Sequence, residues 1–288
     1  MSQPLHLPAE VHGVRVPNFL YGTAWKEDQT QRLVGLALEA GFRGIDTANQ
    51  RKHYREAAVG EAVATVIQRG LVKREGLFLQ TKFTFKNGQD HRLPYDPAAP
   101  VATQVEQSFA SSLTHLRVEA IDSYVLHGPT QRIGLAAADW SAWRAMETIH
   151  ASGRAKLLGV SNVNLEQLEE LYRGAKIKPA FVQNRCYASR GWDRAVRKFC
   201  ADNKIVYQGF SLLTANSDVV AHPELLRIAR RYGQSAIQIA FRFAASVGML
   251  PLTGTSSAVH MRADLEAVEL LEPAEIAKIE GLVAAPRH

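Results

Sequence analysis

Three titratable residues, Asp46, Lys82 and His127, each close a short apolar run, and so do the polar pairs Ser161-Asn162 and Gln183-Asn184. A charge at the end of a buried run is costly unless it is paired, and Asp46 and Lys82 are natural partners. Taken singly, each residue has a plain structural reading. Asp46 can cap a following helix, Lys82 can extend its stem out of a strand, and His127 can be a satisfied core histidine. Taken together, three such groups on successive run ends read better as a functional cluster. That reading requires a fold that brings successive run ends to one rim.

The apolar runs number eight, at 19–24, 44–48, 77–83, 123–128, 157–162, 181–185, 205–210 and 249–254. Each has the length and content of a parallel strand covered on both faces. Segments of helical period alternate with them, at 31–40, 57–69, 101–116, 140–152, 165–175, 193–203, 223–232 and 235–246. Gly41, Gly70, Gly153 and Gly233 follow helical stretches where a positive φ is wanted, and Asn164 precedes one as an N-cap. Eight strand–helix units on 288 residues favour an α/β fold of the (β/α)8 TIM barrel type, with 1–288 as one domain. A doubly wound open sheet is the alternative with the same alternation. The barrel would carry an N-terminal extension and two long βα loops, at 84–100 and 210–223. Loops of that length in a compact domain are usually functional. Active sites of such barrels lie at the C-terminal strand ends, where the titratable residues above fall.

Composition narrows the partners. With 46% hydrophobic and 22% charged residues the chain can bury a large core, so a globular fold is expected. The formal charge of +6 is spread along helix-like stretches, and the densest groups, Lys73-Arg74 and Arg227/Arg230/Arg231, are short. They read as solvated helix faces, so no nucleic-acid partner is expected. The two cysteines, Cys186 and Cys200, are too few for a disulfide framework and lack metal-ligand spacing; reduced thiols and no metal are expected. No run reaches the ~20 apolar residues that span a bilayer, and the first residues lack a basic region followed by an apolar core. No membrane partner and a cytoplasmic location are the expectations. There is no G-x-S-x-G elbow, Walker loop or Rossmann glycine fingerprint.

Gly22-Thr23-Ala24-Trp25, then Gly41-Phe42-Arg43-Gly44-Ile45-Asp46-Thr47-Ala48 with Val59-Gly60-Glu61-Ala62, carry a specific resemblance to the aldo-keto reductase superfamily over nearly the whole chain. The resemblance implies a catalytic tetrad of Asp46, Tyr54, Lys82 and His127. Carbonyl reduction adds hydride to carbon and needs a proton donor for the oxygen. Tyr54 is the expected donor, its phenol made more acidic by the Lys82 ammonium that Asp46 holds in place. His127 would orient the carbonyl and stabilise developing charge. The family places its tyrosine five residues after the aspartate. Here Arg51 stands at that spacing and Tyr54 lies eight residues on, so the loop 49–53 is altered, with His53 beside the tyrosine.

The resemblance also implies a nicotinamide cofactor, with Ser161, Asn162 and Gln183 at the carboxamide and Phe210 stacked under the ring. Gly22, Thr23, Ser211, Leu213, Gly254, Thr255, Ser256 and Arg262 complete the expected cofactor contacts, the last group where a helix start suits a phosphate. NADPH is the expected cofactor; the uncharged Leu252, Ser256 and Ser257, and Asp264 where an asparagine is typical, leave NADH as an alternative. Trp25, Phe83, Phe85 and Gly128 are the expected substrate walls. The family's usual His-Trp-Pro is His127-Gly128-Pro129 here, and the chain ends soon after a terminal helix at 273–285. An open site for varied aldehydes and ketones is therefore expected, in a monomer. The rival reading is a regulatory nicotinamide-binding protein of the same superfamily with little turnover. The complete tetrad speaks against it.

Overall fold

A computed structural model of the chain describes residues 9–267 and 270–282. An antiparallel hairpin of β1 (Glu10–Val11) and β2 (Val14–Arg15) opens it. The next eight strands are β3 (Leu20–Gly22), β4 (Gly44–Asp46), β5 (Phe78–Phe83), β6 (Ile121–Leu126), β7 (Ala155–Ser161), β8 (Phe181–Arg185), β9 (Val206–Phe210) and β10 (Met249–Thr253). They close into a parallel barrel, β10 pairing with both β9 and β3. Each expected run overlaps one of these strands; β6 and β7 each begin two residues before the runs at 123–128 and 157–162. Nearly every residue in them is buried, because helices cover one face and the barrel interior the other. Closure leaves the barrel sheet with no free edge.

The helices are α1 (Thr30–Ala40), α2 (Glu56–Gln68), α3 (Val101–Leu116), α4 (Ala137–Ala151), α5 (Leu165–Gly174), α6 (Arg194–Asp202), α7 (Ser217–Val220), α8 (Pro223–Tyr232), α9 (Ala236–Ser246), α10 (Ala258–Leu265) and α11 (Pro273–Glu280). Expected caps are in place. Asn164 Oδ1 accepts from Gln167 N at 2.9 Å while Gln167 Oε1 accepts from Asn164 N at 3.2 Å. Gly41 and Gly233 end α1 and α8 with φ of 120° and 63°. The long loops carry structure of their own: a 3₁₀ turn at Lys86–Gly88 in the first, and α7 in the second. The terminal helix ends at Glu280, short of the expected 285, and residues 283–288 lie outside the described ones.

Two layers of core result. The main one lies between the barrel and its helices. A smaller one joins the hairpin region to the barrel floor, where Val11 and Val16 meet Leu20, Phe78, Phe181 and Leu250. Strand register lines up the polar residues at the other end: Asp46 pairs with Gly22 and Gln80, Ser161 with Gln183, Gln183 with Gln208, and Arg185 with Phe210. No helix among the described residues is long and apolar enough to cross a membrane. Cys186 and Cys200 are buried and unpaired.

Candidate active site

Asp46 and Lys82 leave neighbouring strands pointing into the barrel, both almost wholly buried. Lys82 Nζ donates to both Asp46 carboxylate oxygens, at 2.7 and 2.8 Å, and to Thr47 O at 2.8 Å, so all three ammonium protons are used. Below them an amide network fills the barrel. Gln80 Nε2 and Gln183 Nε2 donate to Asp46 Oδ1 at 2.7 and 3.0 Å, and both also donate to Gln208 Oε1. Gln208 Nε2 and Ser123 Oγ donate to Gln80 Oε1, each at 2.9 Å. A buried ion pair needs this kind of polar support to offset desolvation. Burial pushes the Lys82 ammonium down, and the Asp46 carboxylate opposes that shift.

Tyr54 stands over this pair, at the foot of the altered loop. A turn over residues 50–54 brings it there: His53 N and Tyr54 N both donate to Gln50 O. Lys82 Nζ lies 5.3 Å from the centre of the Tyr54 ring. The ring of His127 packs edge-on to it, with ring centres 6.1 Å apart. The shift of the phenol differs from the sequence expectation. Burial pushes the Tyr54 hydroxyl well above its ordinary value and the Asp46 carboxylate adds to the rise. The ammonium is turned to Asp46 and Thr47 and does not prevail, so the phenol keeps its proton. Burial, and then the charges of Lys82 and His53, hold the His127 imidazole down to about 3. His127 is therefore a neutral ring at ordinary pH. Thr84 Oγ1 meets its Nδ1 at 2.7 Å; with the hydroxyl donating there, the ring proton belongs on Nε2.

These groups open onto a cleft of about 640 Å³. Its lining includes Asp46, Tyr54, His127 and Trp25, then Ser161, Asn162, Gln183 and Phe210, and also Gly22, Ser211, Leu213, Gly254 and Thr255. The polar groups at its centre suit a flat ring bearing an amide. Asn162 Nδ2 is spent on His127 O and Ser161 Oγ, and both protons of Gln183 Nε2 are spent inside the barrel. Asn162 Oδ1 and Gln183 Oε1 accept no hydrogen bond among the described residues, so two carbonyl acceptors remain beside the partly exposed Phe210 ring.

Several expected contacts fall elsewhere. Phe83 is fully buried and packs on Phe85 and Tyr95, at ring distances of 5.1 and 5.7 Å. Successive strand residues face opposite ways, so the inward turn of Lys82 sends Phe83 outward. Neither Phe83, Phe85 nor Gly128 lines the cleft. Thr23 is buried and turns back to donate to Asp46 O at 3.0 Å. Ser256 and Arg262 are also outside the lining. On α10, His260 and Asp264 face the cleft four residues apart, which puts Arg262 on the opposite side of the helix.

The family model described as "Aldo/keto reductase family" matches residues 20–284. The chain belongs to the aldo/keto reductase family. Members of this family are oxidoreductases. Similar relatives include the uncharacterized oxidoreductase YtbE of Bacillus subtilis, 30% identical over 88% of this chain and 84% of its own length. Deoxymugineic acid synthase 1-D of Triticum aestivum is 32% identical, with 87% of this chain and 82% of that protein covered. Among solved structures, an aldo-keto reductase from a Medee basin deep-sea metagenome library superposes with a TM-score of 0.80 at 23% identity, covering 96% of this chain and 95% of its own. The Bombyx mori aldo-keto reductase in complex with NADP gives the same score and identity, with 96% and 92% covered.

The chain also places in its cleft Lys26, Gln50 and Arg185, which the sequence reading passed over. Lys26 Nζ reaches across to donate to Gly254 O, joining the loops after β3 and β10. Burial lowers its pKa. Trp25, two-thirds exposed, stacks on His53 with ring centres 3.7 Å apart. Gln50 and Arg185 add polar groups to the lining. Lys26 follows the conspicuous Gly22-Thr23-Ala24-Trp25, and its place after a barrel strand was the signal available. Arg185 ends a strand two residues after Gln183, the same inward phase.

Proposed function

We propose that this protein reduces aldehydes or ketones to alcohols with hydride from NADPH, Tyr54 acting as the proton donor. One observation carries the reading: a buried, fully hydrogen-bonded Asp46–Lys82 pair lies under a tyrosine whose hydroxyl is bound to no described residue, with a neutral histidine ring packed against it. The bound cofactor supplies hydride to the carbonyl carbon. The chain's own residues handle the oxygen. His127 Nε2 is suited to hold the carbonyl oxygen by a hydrogen bond, and the Tyr54 hydroxyl to give its proton as the C–O bond gains charge. A raised phenol keeps its proton until that charge develops, when the Lys82 ammonium nearby stabilises the phenolate left behind.

For the cofactor, Asn162 Oδ1 and Gln183 Oε1 would accept from a carboxamide, and Phe210 would stack with the ring. Lys26 and the backbone around Gly254 and Thr255 are suited to the phosphates. NADP in complex with the Bombyx mori relative supports the phosphorylated form. The chemistry that the site recognises is a small carbonyl compound.

The test follows absorbance of the reduced nicotinamide with purified protein and an activated aromatic aldehyde, with NADPH and NADH in parallel. Wild type should oxidise NADPH, and Tyr54→Phe should lose turnover by about 10²–10⁴-fold while still binding cofactor. Undiminished turnover by Tyr54→Phe would assign the proton to another group. Tight cofactor binding by wild type with no turnover on any aldehyde would favour the regulatory alternative.

A further inference from the structure

The cleft carries a cation that carbonyl protonation does not use. Arg185 ends β8, in register with Phe210, and its guanidinium carbon lies 5.5 Å from the centre of the Phe210 ring. Its one side-chain hydrogen bond among the described residues runs from Nη1 to Tyr187 Oη, at 3.3 Å. No carboxylate of a described residue pairs with it. The guanidinium thus carries its positive charge at the Phe210 ring, on which the proposed function stacks the nicotinamide.

The two redox forms of that cofactor share every phosphate, ribose and amide. They differ by one positive charge, which the oxidised pyridinium ring carries and the dihydropyridine does not. We propose that Arg185 discriminates between them: its charge beside Phe210 weakens the oxidised form relative to the reduced one. The inference rests on the proposed cofactor reading. Because Arg185 is exposed, solvent screens it, and the discrimination belongs in the range of about three- to tenfold. In the direction of carbonyl reduction the oxidised cofactor must leave before the next turn, and release often limits such enzymes. Arg185 therefore favours the step that clears the site.

Calorimetric titration of the whole protein with NADP+ and with NADPH, for wild type, Arg185→Gln and Arg185→Lys, tests this without turnover. Arg185→Gln should tighten NADP+ about threefold or more and change NADPH by less than about twofold. Arg185→Lys, which keeps the charge, should hold the wild-type ratio, and raising the salt should shrink the difference between wild type and Arg185→Gln. Equal weakening of both forms in Arg185→Gln would mean that the guanidinium grips the shared phosphates, and would overturn the inference. An unchanged ratio, or a lysine variant that behaves like glutamine, would overturn it too. If wild type binds neither form, the cofactor reading itself fails and this inference falls with it.

Discussion

Asp264 shows how a single side chain can link the cleft to stability. It is buried on α10 and accepts from Thr253 Oγ1 at 2.9 Å. Burial raises its carboxyl from 3.8 to about 6, with the Thr253 hydrogen bond and His260 opposing. The folded state therefore holds the proton more tightly than the unfolded chain does, and stability falls as pH rises from about 4 through about 6. Asp264→Asn keeps an acceptor for Thr253 and removes the titration. It should raise the melting temperature at pH 8, by a stability gain of about 1 kcal/mol after solvent screening, and leave it unchanged near pH 4. A variant that melts lower at pH 8 would mean that the ionised carboxylate has a stabilising partner. At this scale the sequence showed residue types well and directions poorly. Asp46, Lys82 and His127 were visible because each interrupts an apolar run. Phe83 was assigned to the cleft because run ends were counted as positions, whereas the pleat sends neighbours to opposite faces.

At the scale of elements, the altered loop owes its placement to the helix that follows. Gly60 lies on α2 where it crosses α3, and a Cβ there would come within 2.0 Å of His115 O and 2.8 Å of Leu116 Cα. No backbone atom can yield that much without the helices separating. Gly60→Ala should therefore destabilise the fold by about 3 kcal/mol, seen as a lower denaturant midpoint at constant m-value. Turnover should fall with it, since α2 anchors the loop that ends at Tyr54. An alanine variant of wild-type stability would show that α2 and α3 can part without cost. The elements themselves were readable because parallel strands buried on both faces leave uninterrupted apolar runs, and because Gly41, Gly233 and Asn164 mark helix ends. The turn over residues 50–54 was less readable. Its bonds run backbone to backbone, so no side chain announces that Tyr54 comes to stand over Lys82. The short α7 was likewise hidden inside a loop, four residues being too few for periodicity to register.

Across the whole molecule, the candidate site and its support sit at opposite ends of the barrel. The cleft is built at the C-terminal strand ends, and the floor is sealed by the packing of Val11 and Val16 on Leu20, Phe78, Phe181 and Leu250. Substitutions at the floor should cost stability and spare catalysis. Val16→Ala is expected to lower stability by about 1–2 kcal/mol. It should leave kcat and KM for the aldehyde unchanged when assayed well below the melting transition; a changed kcat would reveal coupling along the barrel axis. Fold class was open to a reading of the sequence because eight alternating units suit few architectures. The cleft's inner polarity was not, since which of the strand amides meet depends on the stagger of the closed ring.

Those amides also bear on how the chain reaches its fold. Gln80 and Gln208 are 128 residues apart, Gln183 and Asp46 137. Their bonds cannot form until the last strands arrive. Until then these long-range partners are missing, and a one-residue slip of any contributing strand turns its amide toward the helices. Partly assembled or misaligned rings therefore carry several unpaired groups at once, and only the correct closure satisfies them together. The side chains that steady Asp46 thus act as a combination lock on strand alignment, favouring the one closure of the barrel that satisfies them all.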